Sequence, residues 1–272
     1  MAGKTLRHPR RKCLIGHYKV FFLHHRNRNC LESAAMRHVF AASVIGALFA
    51  GSGLVAQDRG IQDWGTVVEL YTSQGCSSCP PADRIFEQIA DRDDVIALAL
   101  HVDYWDYIGW KDDLGSPAYT ARQRGYAQEW QARNVYTPQM VVAGVKEFVG
   151  SHPVVAMDAI AAHPAQNNPV EVSLRRTGDV ATISATAVGA VPARALVQIV
   201  RYTPRITREI HKGENAGKTV VYRNVVTSWA EAGEWNTSQP LSLQVNVTGD
   251  EPVVAIIQDG PAGAVLGAVQ LR

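Results

Sequence analysis

Val67-Val68-Glu69-Leu70-Tyr71-Thr72-Ser73-Gln74-Gly75-Cys76-Ser77-Ser78-Cys79-Pro80-Pro81-Ala82-Asp83 reads as a strand, a tight polar turn and the start of a helix. The stretch sets two thiols on the first turn of that helix, where backbone N–H groups and the helix dipole stabilise a thiolate. Cys76 is the candidate nucleophile, expected to be exposed. Cys79, one turn further in, is the candidate resolving thiol that displaces whatever Cys76 captures and closes the Cys76–Cys79 bond. Pro80 and Pro81 suit the first helical positions, where a missing N–H costs nothing. Half of a zinc site is a competing reading, but no cysteine follows Asp83 to complete one. An inert structural disulfide is the other; so short a loop contributes little entropic stabilisation.

The 272 residues leave room for two modest domains, and their formal charge of +2 is unevenly spread. Residues 1–35 carry eight Lys or Arg against the single acid Glu32. From Gln57 onward 18 Lys plus Arg face 24 Asp plus Glu, a net charge of −6, which argues against a nucleic-acid partner. Met36-Arg37-His38, an apolar run from Val39 to Ala50 and the small-residue end Gly51 to Ala56 have the three parts of a signal peptide. Residues 36–56 are therefore expected to direct export to the periplasm or outside, and 1–35 to be an extended leader or a misplaced start. An uncleaved membrane anchor is the alternative, and only then would the membrane be a partner. Cleavage would remove Cys13 and Cys30, leaving Cys76 and Cys79 alone in an oxidising compartment.

Ala82, Ile85, Phe86, Ile89 and Ala90 recur as one buried helical face, and Val95 to Val102 is a continuous apolar run suited to a strand covered on both sides. Beyond it, His101-Val102-Asp103-Tyr104-Trp105-Asp106-Tyr107-Ile108-Gly109-Trp110 packs aromatics between charges, so Tyr104 and Trp105 either border a substrate groove or cap the core. His101 and Asp103 alternate on one face as auxiliary residues: proton carriers, copper ligands beside the thiols, or a hydrogen-bonded structural pair. Ser116-Pro117 opens a second helix that continues through Tyr119 to Arg133 with Arg122 and Arg124 exposed. Thr137-Pro138 then precedes a strand, and a cis bond there would aim backbone groups outward beside the thiols. Lys146 to Gly150 returns as a hairpin strand and Pro153 to Ala162 as a closing helix.

Strand, C-x-x-C helix, strand, helix, Thr-Pro strand, strand, helix is the order of a thioredoxin-like α/β domain, expected over 64–166. The run Val67 to Asp83, with His101 to Asp106, Gly109-Trp110-Lys111-Asp112 and Tyr136-Thr137-Pro138-Gln139-Met140, resembles the secreted, thioredoxin-like bacterial family catalogued as domain of unknown function 1223. The resemblance covers roughly Trp64 to Arg272. Similarity to thioredoxins more widely implies that Cys76 attacks, Cys79 resolves and Pro138, with Thr137, guides substrate. The Ser77-Ser78 dipeptide between the thiols departs from the reducing and the oxidising relatives alike, so no redox potential follows by analogy.

After Asn167-Asn168-Pro169 the composition shifts to short alternating strands over 170–175, 180–187, 195–202, 218–227, 241–248, 253–258 and 265–271, which predict a small antiparallel, sandwich-like β domain over 169–272. The polar loop Glu209 to Lys218 is read as a solvated hairpin, or as a segment reaching the dithiol edge. No phosphate-binding glycine pattern sits between a strand and a helix, so no nucleotide is expected, nor any other cofactor or resident metal. Three functions fit: an exported thiol–disulfide oxidoreductase acting on protein or small-molecule thiols and disulfides, a copper chaperone using the same thiols, and a non-enzymatic binding protein braced by the disulfide.

Overall fold

The computed structural model describes residues 62–272, so the expected leader over 1–35 and signal peptide over 36–56 lie outside the described residues. Strand β1 (Gln62–Trp64) precedes β2 (Thr66–Thr72), and the two prolines open α1 (Pro80–Ala90). β3 (Val95–His101) runs parallel to β2, and every residue of both strands is buried, as their unbroken apolar runs require. Ser116 accepts a hydrogen bond from the Ala118 N–H as the N-cap of α2 (Pro117–Glu129), with Pro117 at its first position. The hairpin β4 (Gln139–Val142) and β5 (Lys146–Val149) pairs antiparallel to β2 through β4, and α3 (Pro153–Ala162) follows.

The second half supplies β6 (Val170–Thr177), β7 (Val180–Ala187), β8 (Arg194–Glu209), β9 (Thr219–Asn236), β10 (Leu241–Asn246), β11 (Val253–Gln258) and β12 (Val265–Leu271). All seven expected strands form, with β8 and β9 running on to Glu209 and Asn236, well past their expected ends, but their assembly overturns the expected fold class. One mixed nine-stranded sheet, ordered β1-β12-β11-β8-β9-β3-β2-β4-β5, takes strands from both halves, and only β10-β7-β6 form a separate sheet. A thioredoxin-like α/β domain followed by a small all-β domain is therefore not the architecture. The protein is mostly β, and the sheet continues where an α/β domain would have ended because β9 lies alongside the exposed edge of β3.

Three apolar layers account for the packing. α1 and α3 cover one face of β2, β3 and β4 through Phe86, Ile89, Ala156 and Ile160. The three-stranded sheet covers Val197, Val253, Ala255, Ile257, Val269 and Leu271 with Val172, Leu174, Ile183 and Ala185. On the other side, Tyr119 and Tyr126 of α2 join Val67, Ile96 and Leu98 to Val200, Val254 and Ile256 in one cluster spanning both halves. Arg122, expected exposed, is buried in this layer. Its guanidinium donates to both oxygens of Glu69 at 2.8 Å, donates to the Pro261 carbonyl at 2.9 Å and lies 3.7 Å over the Trp229 ring. A helical position that looks outward in an α/β domain becomes interior once β8, β9 and β11 extend the sheet beneath it. Among the described residues no helix is long and apolar enough to cross a membrane.

β8 and β9 are longer than the sheet they belong to. β8 pairs with β11 only from Leu196 to Arg201, and β9 is laddered to β3 only at Val225 beside Ala99, where the Asn224 amide also donates to the Ala97 carbonyl at 3.0 Å and Tyr222 lies edge-on to His101 at 4.6 Å. From Thr203 opposite Val225 to Glu209 opposite Thr219 they pair with each other, an arm that lies over α1 and ends in the loop 210–218. Ion pairs of Arg205 with Glu87 at 2.9 Å and of Arg223 with Asp91 at 2.7 Å tie it to that helix.

Candidate functional site

The end of β2, the turn that follows and the start of α1 place Cys76 and Cys79 side by side, joined as a disulfide. α1 begins at Pro80, so Cys79 caps it and Cys76 lies in the preceding turn rather than on the helix itself. Ser77 and Ser78 are exposed, whereas neither cysteine has any exposed surface. The expectation of an exposed Cys76 is corrected on this point. The reason is the polar cover that the second half brings: Asn215 donates to the Gln74 carbonyl at 2.8 Å and to the Cys76 carbonyl at 2.9 Å. Trp105 borders the turn from the other side, close enough that a Cβ on Gly75 would come within 3.1 Å of its Cβ.

Beneath the disulfide is a buried polar cluster. Asp83, one turn beyond Cys79, donates its backbone N–H to the Cys79 carbonyl at 3.1 Å, and helical side chains lean toward the N-terminus, so its carboxyl points back toward the disulfide. Oδ1 of Asp83 accepts from the Thr72 hydroxyl at 2.8 Å, while Oδ2 has no partner. Burial pushes this carboxyl up to about 7, against the opposing pull of the Thr72 hydrogen bond and of His101. His101 is the register neighbour of Thr72, and its Nδ1 is 2.7 Å from Asp112 Oδ2; its Nε2, like Asp83 Oδ2, is buried without a partner. Burial alone would raise Asp112. The charge of His101 and the hydrogen bonds from His101, Gln74 and Leu114 outweigh it and hold this carboxyl below the ordinary range. An ionised Asp112 only accepts, so the Nδ1 proton belongs to His101. Gln74 completes the cluster, donating to Asp112 from its backbone at 2.8 Å and from its side chain at 2.7 Å.

The sequence-derived site residues divide into those gathered here and those held elsewhere. Trp105 donates to the Thr137 hydroxyl at 2.7 Å, and the Thr137–Pro138 bond is cis, so Trp105, Thr137 and Pro138 form one wall next to the disulfide turn. Tyr104 turns to α2, where its hydroxyl donates to Gln123 at 3.2 Å. His101 belongs to the cluster, but its partner is not Asp103, which accepts from the Thr120 hydroxyl at 2.6 Å. Asp83, Asp112 and Asn215 carried no role in the sequence reading. Asp83 had a signal, its i+4 spacing from Cys79; Asp112 and Asn215 reach the site through loop paths that no spacing rule encodes. Among the described residues no three His, Cys, Asp or Glu side chains gather to hold a metal ion. A cavity of about 800 Å³ lined by Trp64, Thr66, Asn168, Glu171, Ser184 and Thr186 lies toward the opposite end of β2 and includes none of these residues.

Comparison with known proteins bears on the fold. The crystal structure of protein AGR_C_4864 from Agrobacterium tumefaciens is similar at 30% identity and a TM-score of 0.65, covering 76% of this chain and 93% of that one. HBP35 of Porphyromonas gingivalis is similar in fold alone, at 14% identity and a TM-score of 0.52 over 78% of this chain and 76% of that one. No curated protein matches significantly. The model of a family described as protein of unknown function, DUF1223, matches residues 67–258, from β2 through the disulfide and the arm to the end of β11, and the chain belongs to that family.

Proposed function

We propose that the protein is an exported thiol–disulfide oxidoreductase whose working group is the Cys76–Cys79 pair. The observation that carries the reading is the buried Asp83 carboxyl, titrating near neutrality one helical turn from Cys79. Its second oxygen is buried without a partner, and burial favours the protonated form. In the exchange a partner thiolate attacks Cys76 Sγ, the Cys76–Cys79 bond breaks, and Cys79 leaves as a thiolate. A buried thiolate is costly, and protonated Asp83 is placed to supply its proton. A second thiolate of the partner then attacks the mixed disulfide at the partner's sulfur. The partner dithiol is oxidised to a disulfide and the protein pair is reduced to two thiols; Cys79 carries the proton that Asp83 gave up, and of the two partner protons one ends on Cys76 and the other restores Asp83. Run backwards, the same steps reduce a partner disulfide. Export rests on the sequence from Met36 to Ala56 and on the economy of cysteines after it.

The complete burial of both cysteines favours a second reading, a binding protein in which the disulfide only braces the turn. Equilibrating the purified protein with glutathione buffers separates the two. An oxidoreductase is expected to fall between about −120 and about −270 mV, and a value below about −300 mV marks a brace. Cys79→Ser should then accumulate a Cys76 mixed disulfide with a model dithiol peptide under the first reading and none under the second.

A further inference from the structure

The loop that closes the arm has an unusual burial pattern. Residues 211–214 and 216–219 are exposed, and Asn215 between them is 1% exposed. Its side-chain amide donates to the carbonyls of Gln74 and Cys76, and its own oxygen accepts from Lys218 Nζ at 2.7 Å. Two glycines at positive φ, Gly213 and Gly217, shape the loop so that this one side chain points inward. The rest of the arm has no ladder partner in the sheet. Its strands ladder only to each other beyond Val225, and its ties to the body are the ion pairs of Arg205, Arg223 and Arg208 (2.8 Å to Asp113), buried Ile210, Tyr222 edge-on to His101 at 4.6 Å and the Asn224 amide donating to the Ala97 carbonyl at 3.0 Å.

From this we infer that the β8–β9 arm is a lid over the Cys76–Cys79 disulfide, and that Asn215 stands in the closed state for a peptide group of a polypeptide partner. The inference rests on the exchange reading of the cysteine pair and adds its regulation and partner class. The chemistry of the two carbonyls sets that class. Both are backbone acceptors of the disulfide turn; opening the lid strips the Gln74 carbonyl of its Asn215 donor and leaves the Cys76 carbonyl with only the Cys79 N–H at 3.2 Å. A partner chain lying along the turn offers backbone N–H groups in exchange, so displacing Asn215 is nearly even for a polypeptide. A small thiol offers nothing comparable and must wait for the lid to open by itself. Lys218 Nζ lies 2.7 Å from the Asn215 oxygen on the same side, so a neutral peptide group suits the two carbonyls better than a second cation would.

The test follows the rate at which the disulfide is lost in the full-length protein, with acid quench, alkylation and mass spectrometry as readout. Two probes are compared at equal thiolate concentration: 2-mercaptoethanol and a synthetic extended peptide carrying one cysteine among alanines and serines. The wild type is expected to react faster with the peptide. Asn215→Ala, which removes both hydrogen bonds, should speed mercaptoethanol roughly tenfold and change the peptide rate far less, collapsing the preference. Asn215→Asp, which sets a carboxylate against the two carbonyls, should do the same, and amide hydrogen exchange over 210–218 should rise in both variants. Wild-type mercaptoethanol rates in both variants overturn the lid, and a wild type that does not prefer the peptide overturns the stand-in. A glutathione equilibrium typical of a brace overturns the exchange reading instead, and leaves the effect of Asn215 on mercaptoethanol access as a separate result.

Discussion

Replacing Asp83 by Asn isolates the most perturbed group at the site, and its effect has a sign that follows from linkage. The carboxyl faces Thr72 of β2, His101 of β3, Asp112 of the following loop, Tyr222 of the arm and Arg84 of its own helix, and burial dominates them all to lift it to about 7. In the unfolded chain the same group loses its proton near the ordinary aspartate value of about 3.9. Between those values the folded state holds a proton that the unfolded state has given up, so stability falls as pH rises through the window and levels off above about pH 7. The shift corresponds to a loss of about 4 kcal/mol across that range. Asn keeps the oxygen that accepts from Thr72 and has no proton to lose. Urea unfolding of the oxidised proteins at a series of pH values from about 4.5 to about 8.5 gives the difference directly. The variant should gain on the wild type steadily up to about pH 7, by as much as about 4 kcal/mol, and hold that gain above it. A difference that stays flat with pH would mean that Asp83 is already ionised in the folded protein, and the proton donor assigned to Cys79 would be lost with it.

Glu69→Gln leaves Arg122 a buried cation without its carboxylate, and the loss in urea unfolding should be about 3 to 5 kcal/mol; Arg122→Met should cost less, because an apolar side chain fills the space without stranding a charge. Gly144→Ala should destabilise by at least about 2 kcal/mol, since φ is +69° there and the added Cβ would lie 2.2 Å from the Gly263 carbonyl oxygen. The Cys76–Cys79 bond closes so small a loop that reducing it should lower stability by only about 2 kcal/mol, leaving the far-UV circular dichroism unchanged. Raising the ionic strength should loosen the arm by screening its half-exposed pairs with Glu87, Asp91 and Asp113, read as faster amide exchange over 210–218 with no change in β11 or β12.

Local structure was legible where one physical signal acts alone. Pro80 and Pro81 mark the start of α1, Ser116 and Pro117 that of α2, the alternation of β7 gives its bounds, and the largely apolar runs of β11 and β12 give theirs, residue for residue. The ends of β8 and β9 were not: Ser228 to Asn236 of β9 is mostly exposed and lacks a continuous apolar face, and Thr203 to Glu209 of β8 carries Pro204 and a mostly exposed, charged pattern that a sheet strand would not tolerate. An arm laddered only to its own partner tolerates it. The joining of two halves into one sheet was equally hidden, since β9 meets β3 through one residue pair and pairing across such a distance leaves no periodic trace. At the site the disulfide-forming pair was visible in sequence, while its buried polar neighbours were visible only as types. His101 was singled out with the wrong carboxylate, because strand alternation suggests Asp103, whereas a loop returning eleven residues later delivers Asp112.

The same departure from the expected fold explains the site's closure. An α/β domain that ended at β3 would leave its strand edge and the disulfide turn open to solvent, and the thiol chemistry would need no gate. Here the edge of β3 is taken by β9, and continuing β8 and β9 past the last laddered residue carries a polar loop onto the one turn that holds the cysteines. Sheet extension and covering the disulfide are thus one structural event. Beyond Val225 the ribbon rests on α1 through the ion pairs of Arg205 and Arg223, which water and salt weaken, and on the body through buried Tyr222 and Ile210. Opening it exposes those side chains together with Asn215, so the closed state is held by local burial rather than by hydrogen bonds to the rest of the sheet. Exchange at a fully buried pair of cysteines depends on that local opening.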